Sequence, residues 1–74
     1  MNIPEYRHAF GCRVQELRKA KGFTSQEAFA NHLGLDRTYI SGIERGRRNP
    51  TLDVVVKIAR GLDVHPSDLL STIE

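Results

Sequence analysis

The sequence predicts an all-α protein, a compact bundle of five short helices. Apolar residues recur at helical spacing between turn residues, and glycine or proline separates the segments. No segment shows the sustained alternation of apolar and polar residues that is typical of a half-buried strand. The 74 residues form one small domain, residues 1–74. So short a chain buries a limited core, which favours a partner subunit.

The first helix is expected over about residues 4–21. An apolar stripe runs from Tyr6 through Phe10 to Leu17 at helical spacing, so this stripe is predicted to face the core. Gly22 follows the last turn, where glycine commonly ends a helix.

The second and third helices are expected over about residues 25–33 and 36–45. Ser25 and Asp36 are good N-capping residues for them. The connector between the two helices is only three residues long and contains Gly34, which is typical of a helix-turn-helix, although a generic antiparallel helix pair has the same spacing.

The last two helices are expected over about residues 51–62 and 66–71. Thr51 caps the fourth helix, and Leu52 is predicted to begin its inward face. Three consecutive valines favour a strand by propensity, but the helical spacing of the whole segment outweighs them. Pro66 suits the first turn of the fifth helix, from which Leu70 is expected to pack inward.

Several classes of site and function are disfavoured by composition. The single Cys12 cannot form an internal disulfide, and the scattered histidines give no zinc spacing. There is no ligand set for a metal, no glycine loop for a phosphate-bearing cofactor and no paired nucleophile and base, so we predict no cofactor and no enzyme activity. No apolar run is long enough to span a membrane, and the N-terminus lacks a signal pattern. We therefore expect a cytoplasmic protein.

Charge is distributed unevenly along the chain, whose net charge is +2. Residues 13–21 and residues 37–48 each carry four basic residues against one acidic residue, whereas residues 49–74 carry two basic and four acidic residues. This asymmetry indicates a face for an anionic partner, although ordinary solvated charge gives the same composition.

The third helix has two chemically different sides. Ile40 and Ile43 fall on the inner side of a helical wheel, and the opposite side holds two arginines, two hydroxyls and a glycine. Arginine can bond guanine O6 and N7 together, and threonine or serine can bond bases or phosphates. The outer residues are Arg37, Thr38, Ser41, Gly42 and Arg45.

Over about residues 10–70 the chain resembles the Xre family, the lambda-repressor/Cro type of helix-turn-helix. The matching segments are Leu17-Arg18-Lys19, Gly22, Ser25-Gln26-Glu27-Ala28-Phe29-Ala30, Leu33-Gly34-Leu35, Arg37-Thr38-Tyr39-Ile40-Ser41-Gly42-Ile43-Glu44-Arg45-Gly46, Arg48-Asn49-Pro50, and Ile58-Ala59 with Leu62. Within the family, the Arg-Thr-Tyr-Ile-Ser and Glu-Arg-Gly runs resemble the controller proteins of restriction–modification systems. One departure is a helix 1–helix 2 loop that is one residue longer than the family's usual loop, at Phe23-Thr24.

The resemblance implies a role for particular residues. Base edges or adjacent phosphates would be met by Arg37, Thr38, Ser41 and Tyr39. The DNA backbone would be held by Gln26, Arg45, Arg47, Arg48 and Asn49. Arg18 and Glu44 would form a partly buried ion pair between the first and third helices. Because the longer loop comes just before the second helix, its extra residue affects where Gln26 stands relative to a phosphate.

The apolar arc of the fourth helix is wider than a single buried stripe requires. Either the small domain wraps this helix deeply, or part of the arc is a dimer interface, for which Val54 and Ile73 are the candidate residues. A two-fold dimer would present two recognition helices to DNA about one helical turn apart.

The leading functional hypothesis is a transcription regulator that binds a pseudo-palindromic operator in double-stranded DNA as a homodimer. RNA polymerase is a further candidate partner, and no membrane is expected. The alternative is an antitoxin-type interaction module that neutralises a toxin and represses its own operon. RNA binding is disfavoured because few aromatic residues are available for base stacking.

Overall fold

The computed structural model describes residues 4–73, which contain five α-helices and no strand. The all-α, five-helix fold class is confirmed. The helices are α1 (Glu5–Ala20), α2 (Gln26–Leu33), α3 (Arg37–Glu44), α4 (Leu52–Leu62) and α5 (Pro66–Leu70). Each boundary lies within one residue of the predicted one, because most of the differences are flanking cap residues that the predicted ranges included.

Three helices begin at a side chain that accepts a hydrogen bond from the first turn. The Ser25 hydroxyl accepts from the Ala28 N–H at 3.0 Å. Asp36 and Thr51 do the same for α3 and α4, at 2.8 and 3.2 Å. Replacing such a cap by alanine typically costs about 1 kcal/mol, so these residues fix where the helices start.

The core lies where α1 packs against α3, α4 and α5 while α2 packs against α3 and α4. Its members are small or branched apolar side chains with two phenylalanines, and all are at most 7% exposed. They are Phe10, Val14, Phe29, Ala30, Leu33, Ile40, Ile43, Val55, Ile58, Ala59, Leu62 and Leu69. Every helix contributes, so the five helices share one core.

The backbones of α1 and α3 approach each other closely at Gly11. A Cβ atom on Gly11 would lie 2.4 Å from the carbonyl oxygen of Ile43 and 2.6 Å from that of Glu44. Real Cβ atoms essentially never come so near to backbone, so only glycine lets α1 rest directly on the last turn of α3. The position and tilt of α3 therefore depend on this contact.

Three apolar residues that the sequence assigned to the inner faces are exposed. Tyr6, Leu52 and Leu70 keep 54, 74 and 40% of their surface accessible. Each lies in the first or the last turn of its helix, and helical spacing alone overestimated their burial. Val54 is half-buried and packs against the core. Ile73, outside the last helix, is 37% exposed.

No helix among the described residues combines the length and apolarity that a membrane span requires. Within residues 4–73, histidine, cysteine and carboxylate side chains form no group of three or more that could hold a metal ion.

Candidate nucleic-acid interface

A shallow depression lies along the outer side of α3 and continues into the loop that follows it. We call it the α3 surface. Its residues carry four guanidinium groups, two hydroxyls and one glycine: Arg37, Thr38, Ser41, Gly42, Arg45, Arg47 and Arg48. The arginines and Thr38 are exposed, and Ser41 and Gly42 are half-buried. The structure therefore brings six of the predicted DNA-contacting residues to one place.

The other side of α3 is fixed in the core. Ile40 and Ile43 are at most 1% exposed. The α3 surface is thus carried on a helix that cannot rotate without breaking the core. A concave, strongly basic surface on a fixed helix is suited to a polyanion whose shape it can match.

Glu44 joins α1, α2 and α3 through a buried hydrogen-bonded cluster. Arg18 donates to both of its carboxylate oxygens, at 2.7 Å from Nε and 3.2 Å from Nη2. Both side chains are nearly inaccessible, at 3 and 2%. Arg18 also donates from Nη1 to the carbonyl oxygen of Phe23, at 2.7 Å. The Arg18–Glu44 pair implied by the family resemblance is present.

Gln26, at the first residue of α2, belongs to the same cluster. Its Nε2 donates to Glu44 Oε1 at 3.0 Å. The expected contact between Gln26 and a phosphate stays a prediction, and any such contact would be made by a side chain already tied to α3. Phe23, in the loop before α2, packs against Phe29 with ring centroids 5.2 Å apart, and it is partly buried against the core.

Tyr39 is half-buried and does not line the α3 surface. The guanidinium carbon of Arg48 lies 5.6 Å from the centre of its ring, within the range of a cation–π contact. Gly42 makes room for this arrangement, because a Cβ there would lie 2.6 Å from Arg48 Cγ. Sequence reasoning missed this support, which depends on a loop folding back over the helix.

Asn49 is exposed but lies outside the α3 surface. Together with Arg48 it lines a second, mainly apolar groove, whose other members include Tyr6, Leu70 and Ile73. Its assignment to the DNA backbone stays a prediction.

Asp36 holds the first turn of α3 by accepting two hydrogen bonds from Thr38. The backbone N–H donates at 2.8 Å and the hydroxyl at 2.5 Å, both to Oδ1. These two bonds, helped by the positive charges of Arg37 and Arg48, lower the pKa of Asp36 below its usual value of 3.8. The carboxylate is therefore ionised at neutral pH.

The fold and this surface define a helix-turn-helix protein in which α3, the second helix of the motif, carries the basic surface. The chain belongs to the HTH_3 helix-turn-helix family, whose model matches residues 14–69.

The chain is similar to known control proteins. It is 49% identical to the control protein C.MunI of Mycoplasma sp over 65 residues, which are 88% of each chain. It is 51% identical to the control protein C.BamHI of Bacillus amyloliquefaciens over 61 residues, 82% of this chain and 75% of that protein.

Solved structures show the same likeness. The restriction-modification controller protein C.AhdI from Aeromonas hydrophila superposes with a TM-score of 0.84 at 47% identity, covering 89% of this chain and 98% of that one. The controller protein C.Esp1396I, solved as a tetramer in complex with its natural 35 base-pair operator, gives a TM-score of 0.79 at 37% identity over 92% of this chain and 88% of that one.

Proposed function

We propose that this protein is a sequence-specific, DNA-binding transcription regulator that binds a pseudo-palindromic operator as a homodimer and controls a restriction–modification system. The observation that carries the proposal is the α3 surface, in which arginines and hydroxyls are displayed on a helix whose opposite side is locked in the core. It acts in the cytoplasm, by binding and not by catalysis.

The α3 surface has the chemistry that reading a major groove requires. An α-helix fits this groove, where arginine can bond guanine and a hydroxyl can bond any base edge that offers a partner. Arg37 stands at the first residue of α3, the end from which helix-turn-helix proteins usually contact bases. Arg45 and Arg47 lie at its other end, and Arg48 folds back over Tyr39, so all three suit phosphates on the groove wall.

The controller role rests on the similarity to C.MunI, C.BamHI and C.AhdI, which extends over most of each chain. The operator complex of C.Esp1396I supports the same mode of action, because that protein binds its operator as an oligomer.

The homodimer would form through exposed apolar residues in and beside the second, mainly apolar groove. Tyr6, Leu70 and Ile73 line one groove together with Val55 of α4. Leu52 lies one turn before Val55 on the same helix face and is 74% exposed. We therefore add Leu52 to the two interface residues proposed from the sequence, Ile73 and the half-buried Val54.

Selection of bound sequences from random duplex DNA tests the proposal. We expect two inverted half-sites whose centres are about one helical turn apart, which is the spacing that two recognition helices in a two-fold dimer require. Enrichment of no sequence would refute the function, and enrichment of a single half-site would refute the dimer.

Arg37→Ala tests the assignment of base reading to α3. We expect specific affinity to fall by about 1–3 kcal/mol, with base preference relaxed at one position of each half-site. Arg60→Ala is the matched control, since Arg60 is exposed on α4 and outside the α3 surface. Equal weakening on all sequences would make Arg37 a phosphate contact instead.

Leu52→Ser and Ile73→Ser test the interface by sedimentation equilibrium. Each residue occurs twice in a two-fold dimer, so losing its apolar burial should raise the dimer Kd about tenfold or more. Lys57→Ser, at an exposed polar position of α4, is the control. An unchanged Kd in both variants would place the interface elsewhere.

A further inference from the structure

The hydroxyl of Thr38 is already hydrogen-bonded within the protein before any DNA is bound. Its Oγ1 lies 2.5 Å from Asp36 Oδ1, and its backbone N–H donates to the same oxygen at 2.8 Å. An ionised carboxylate has no proton to give, so the proton between these two oxygens comes from Thr38. The hydroxyl of Thr38 consequently has only lone pairs left for another partner.

Asp36 is held in the ionised state that this argument requires. The hydrogen bonds from the Thr38 side chain and backbone are the largest causes of its lowered pKa, and the nearby charges of Arg37 and Arg48 act in the same direction. At neutral pH the carboxylate therefore accepts and does not donate. Thr38 remains exposed and lines the α3 surface, so its free lone pairs are accessible.

We propose that Asp36 sets part of the operator preference: by holding the hydroxyl proton of Thr38, it makes Thr38 a hydrogen-bond acceptor that selects adenine or cytosine over guanine or thymine at one position on one strand of each half-site. This inference rests on the proposed function, since it assumes that α3 enters the major groove.

The chemistry of the groove gives the direction of the preference. In the major groove only the exocyclic amines donate, N6 of adenine and N4 of cytosine, whereas guanine O6, thymine O4 and the purine N7 atoms accept. Phosphate oxygens are also acceptors. A hydroxyl that donates its proton to Asp36 is therefore matched to an amino base and mismatched to a keto base or a phosphate.

Ser41 provides a contrast on the same surface. Within residues 4–73 the structure shows no hydrogen bond from the Ser41 hydroxyl to a carboxylate, so this group keeps its freedom to donate or to accept. Asp36 thus distinguishes two hydroxyls that the sequence alone presents as equivalent, and it acts as a positioning residue through Thr38.

The test uses synthetic duplexes that carry the operator selected by the wild-type protein, with all four base pairs placed in turn at each position of the half-site. For the wild type we expect one position at which adenine or cytosine binds about tenfold more tightly than guanine or thymine, the effect of about one well-placed hydrogen bond. Exchange of adenine for cytosine should be tolerated there, while inversion of the base pair should not.

Three variants assign that preference to the two residues. Thr38→Ser keeps the hydroxyl and should retain the preference, whereas the isosteric Thr38→Val should abolish it at that position alone. Asp36→Gly should reduce it, because it removes the oxygen that accepts the hydroxyl proton of Thr38 and leaves that proton free to be donated elsewhere. Glycine at an N-cap costs only about a few tenths of a kcal/mol, so a merely structural role of Asp36 predicts no change in base preference.

Several outcomes would overturn the inference. These are a Thr38-dependent preference for guanine or thymine, equal weakening of all sequences by Thr38→Val, or an unchanged preference in Asp36→Gly. All of them leave the position read by Arg37 intact. Failure of the proposed function gives a different result, because the wild type would then show no base preference at any position.

Discussion

The two sides of α3 differ in how much freedom the fold leaves them. On the inner side, Ile43 and Glu44 are buried, and Gly11 of α1 rests against their carbonyl oxygens. On the outer side, Arg37 and Arg45 are exposed. The buried side therefore fixes the orientation of α3, while the exposed side provides the groups that contact a ligand, so changes to the two sides should have separable effects.

Glu44 also shows that a charged side chain can lie on the buried side of α3. It is charged, yet it is more buried than the half-buried Ser41 on the same helix, because Arg18 and Gln26 satisfy its carboxylate. A buried charge is tolerated only when it is paired and hydrogen-bonded, and this one is bonded to both neighbouring helices.

The largest expected effect comes from Glu44→Ala, which breaks the rigid side. The substitution leaves the guanidinium of Arg18 buried without its partner, and breaking such a pair typically costs about 3–5 kcal/mol of unfolding free energy. Urea denaturation measures it. Glu27→Ala, at an exposed position of α2, is the control and should stay within about 0.5 kcal/mol of the wild type. A loss below 1 kcal/mol for Glu44→Ala would contradict the role assigned to the pair.

A matched pair of glycine substitutions separates the two sides directly. Gly11→Ala drives a methyl group into the backbone of α3 and should lower the unfolding free energy by about 1–3 kcal/mol, although alanine is the better helix former. Gly42→Ala meets side-chain atoms of Arg48 from Cγ outward, so this exposed side chain must take another rotamer. Its stability should fall less than that of Gly11→Ala, but its DNA affinity should also fall, because Arg48 loses its place over Tyr39.

Thermal unfolding and DNA titration on both glycine variants would measure this difference. If Gly42→Ala proved as destabilising as Gly11→Ala, the outer side would also be part of the rigid framework, and the distinction between the two sides would be lost.

The smallest expected effect is the pH dependence of stability that Asp36 adds at the N-terminus of α3. Its folded-state pKa is lower than usual, so the ionised carboxylate stabilises the fold above the usual value of 3.8, and this contribution is lost as the pH falls through the lowered pKa. Asp36→Asn should therefore lose less stability on acidification below about pH 4 than the wild type does. Melting temperatures of the wild type and Asp36→Asn, measured from neutral to acid pH, test this expectation. An equal pH dependence in the two proteins would show that the bonds from Thr38 do not favour the ionised form.

Much of the fold was predictable because its determinants are local. Ser25, Asp36 and Thr51 each cap the helix that follows within the same short segment. The exception is the end of α4, where Asp63 adopts a left-handed conformation with φ of 57°. Glycine is the usual signal for that conformation and aspartate is a weaker one, so the sequence pattern did not mark it.

The residues that form the α3 surface were predictable from the sequence, whereas the contacts that join them to other elements were not. Helical periodicity separates Arg37 and Ser41 from Ile40 without any knowledge of the rest of the chain. The bond from Gln26 to Glu44 and the placement of Arg48 over Tyr39 join residues on different elements, and periodicity carries no information about them. The same limit explains why Leu52 was assigned to the core.

The sequence by itself determined the five helices, their caps and the two-sided character of α3, because these depend on residues within a few positions of one another. The tertiary structure decided how α1 meets α3 at Gly11, which apolar residues remain exposed and which polar groups are already bonded within the protein. Those features depend on the distances between elements far apart in the chain, which only packing of the complete core establishes.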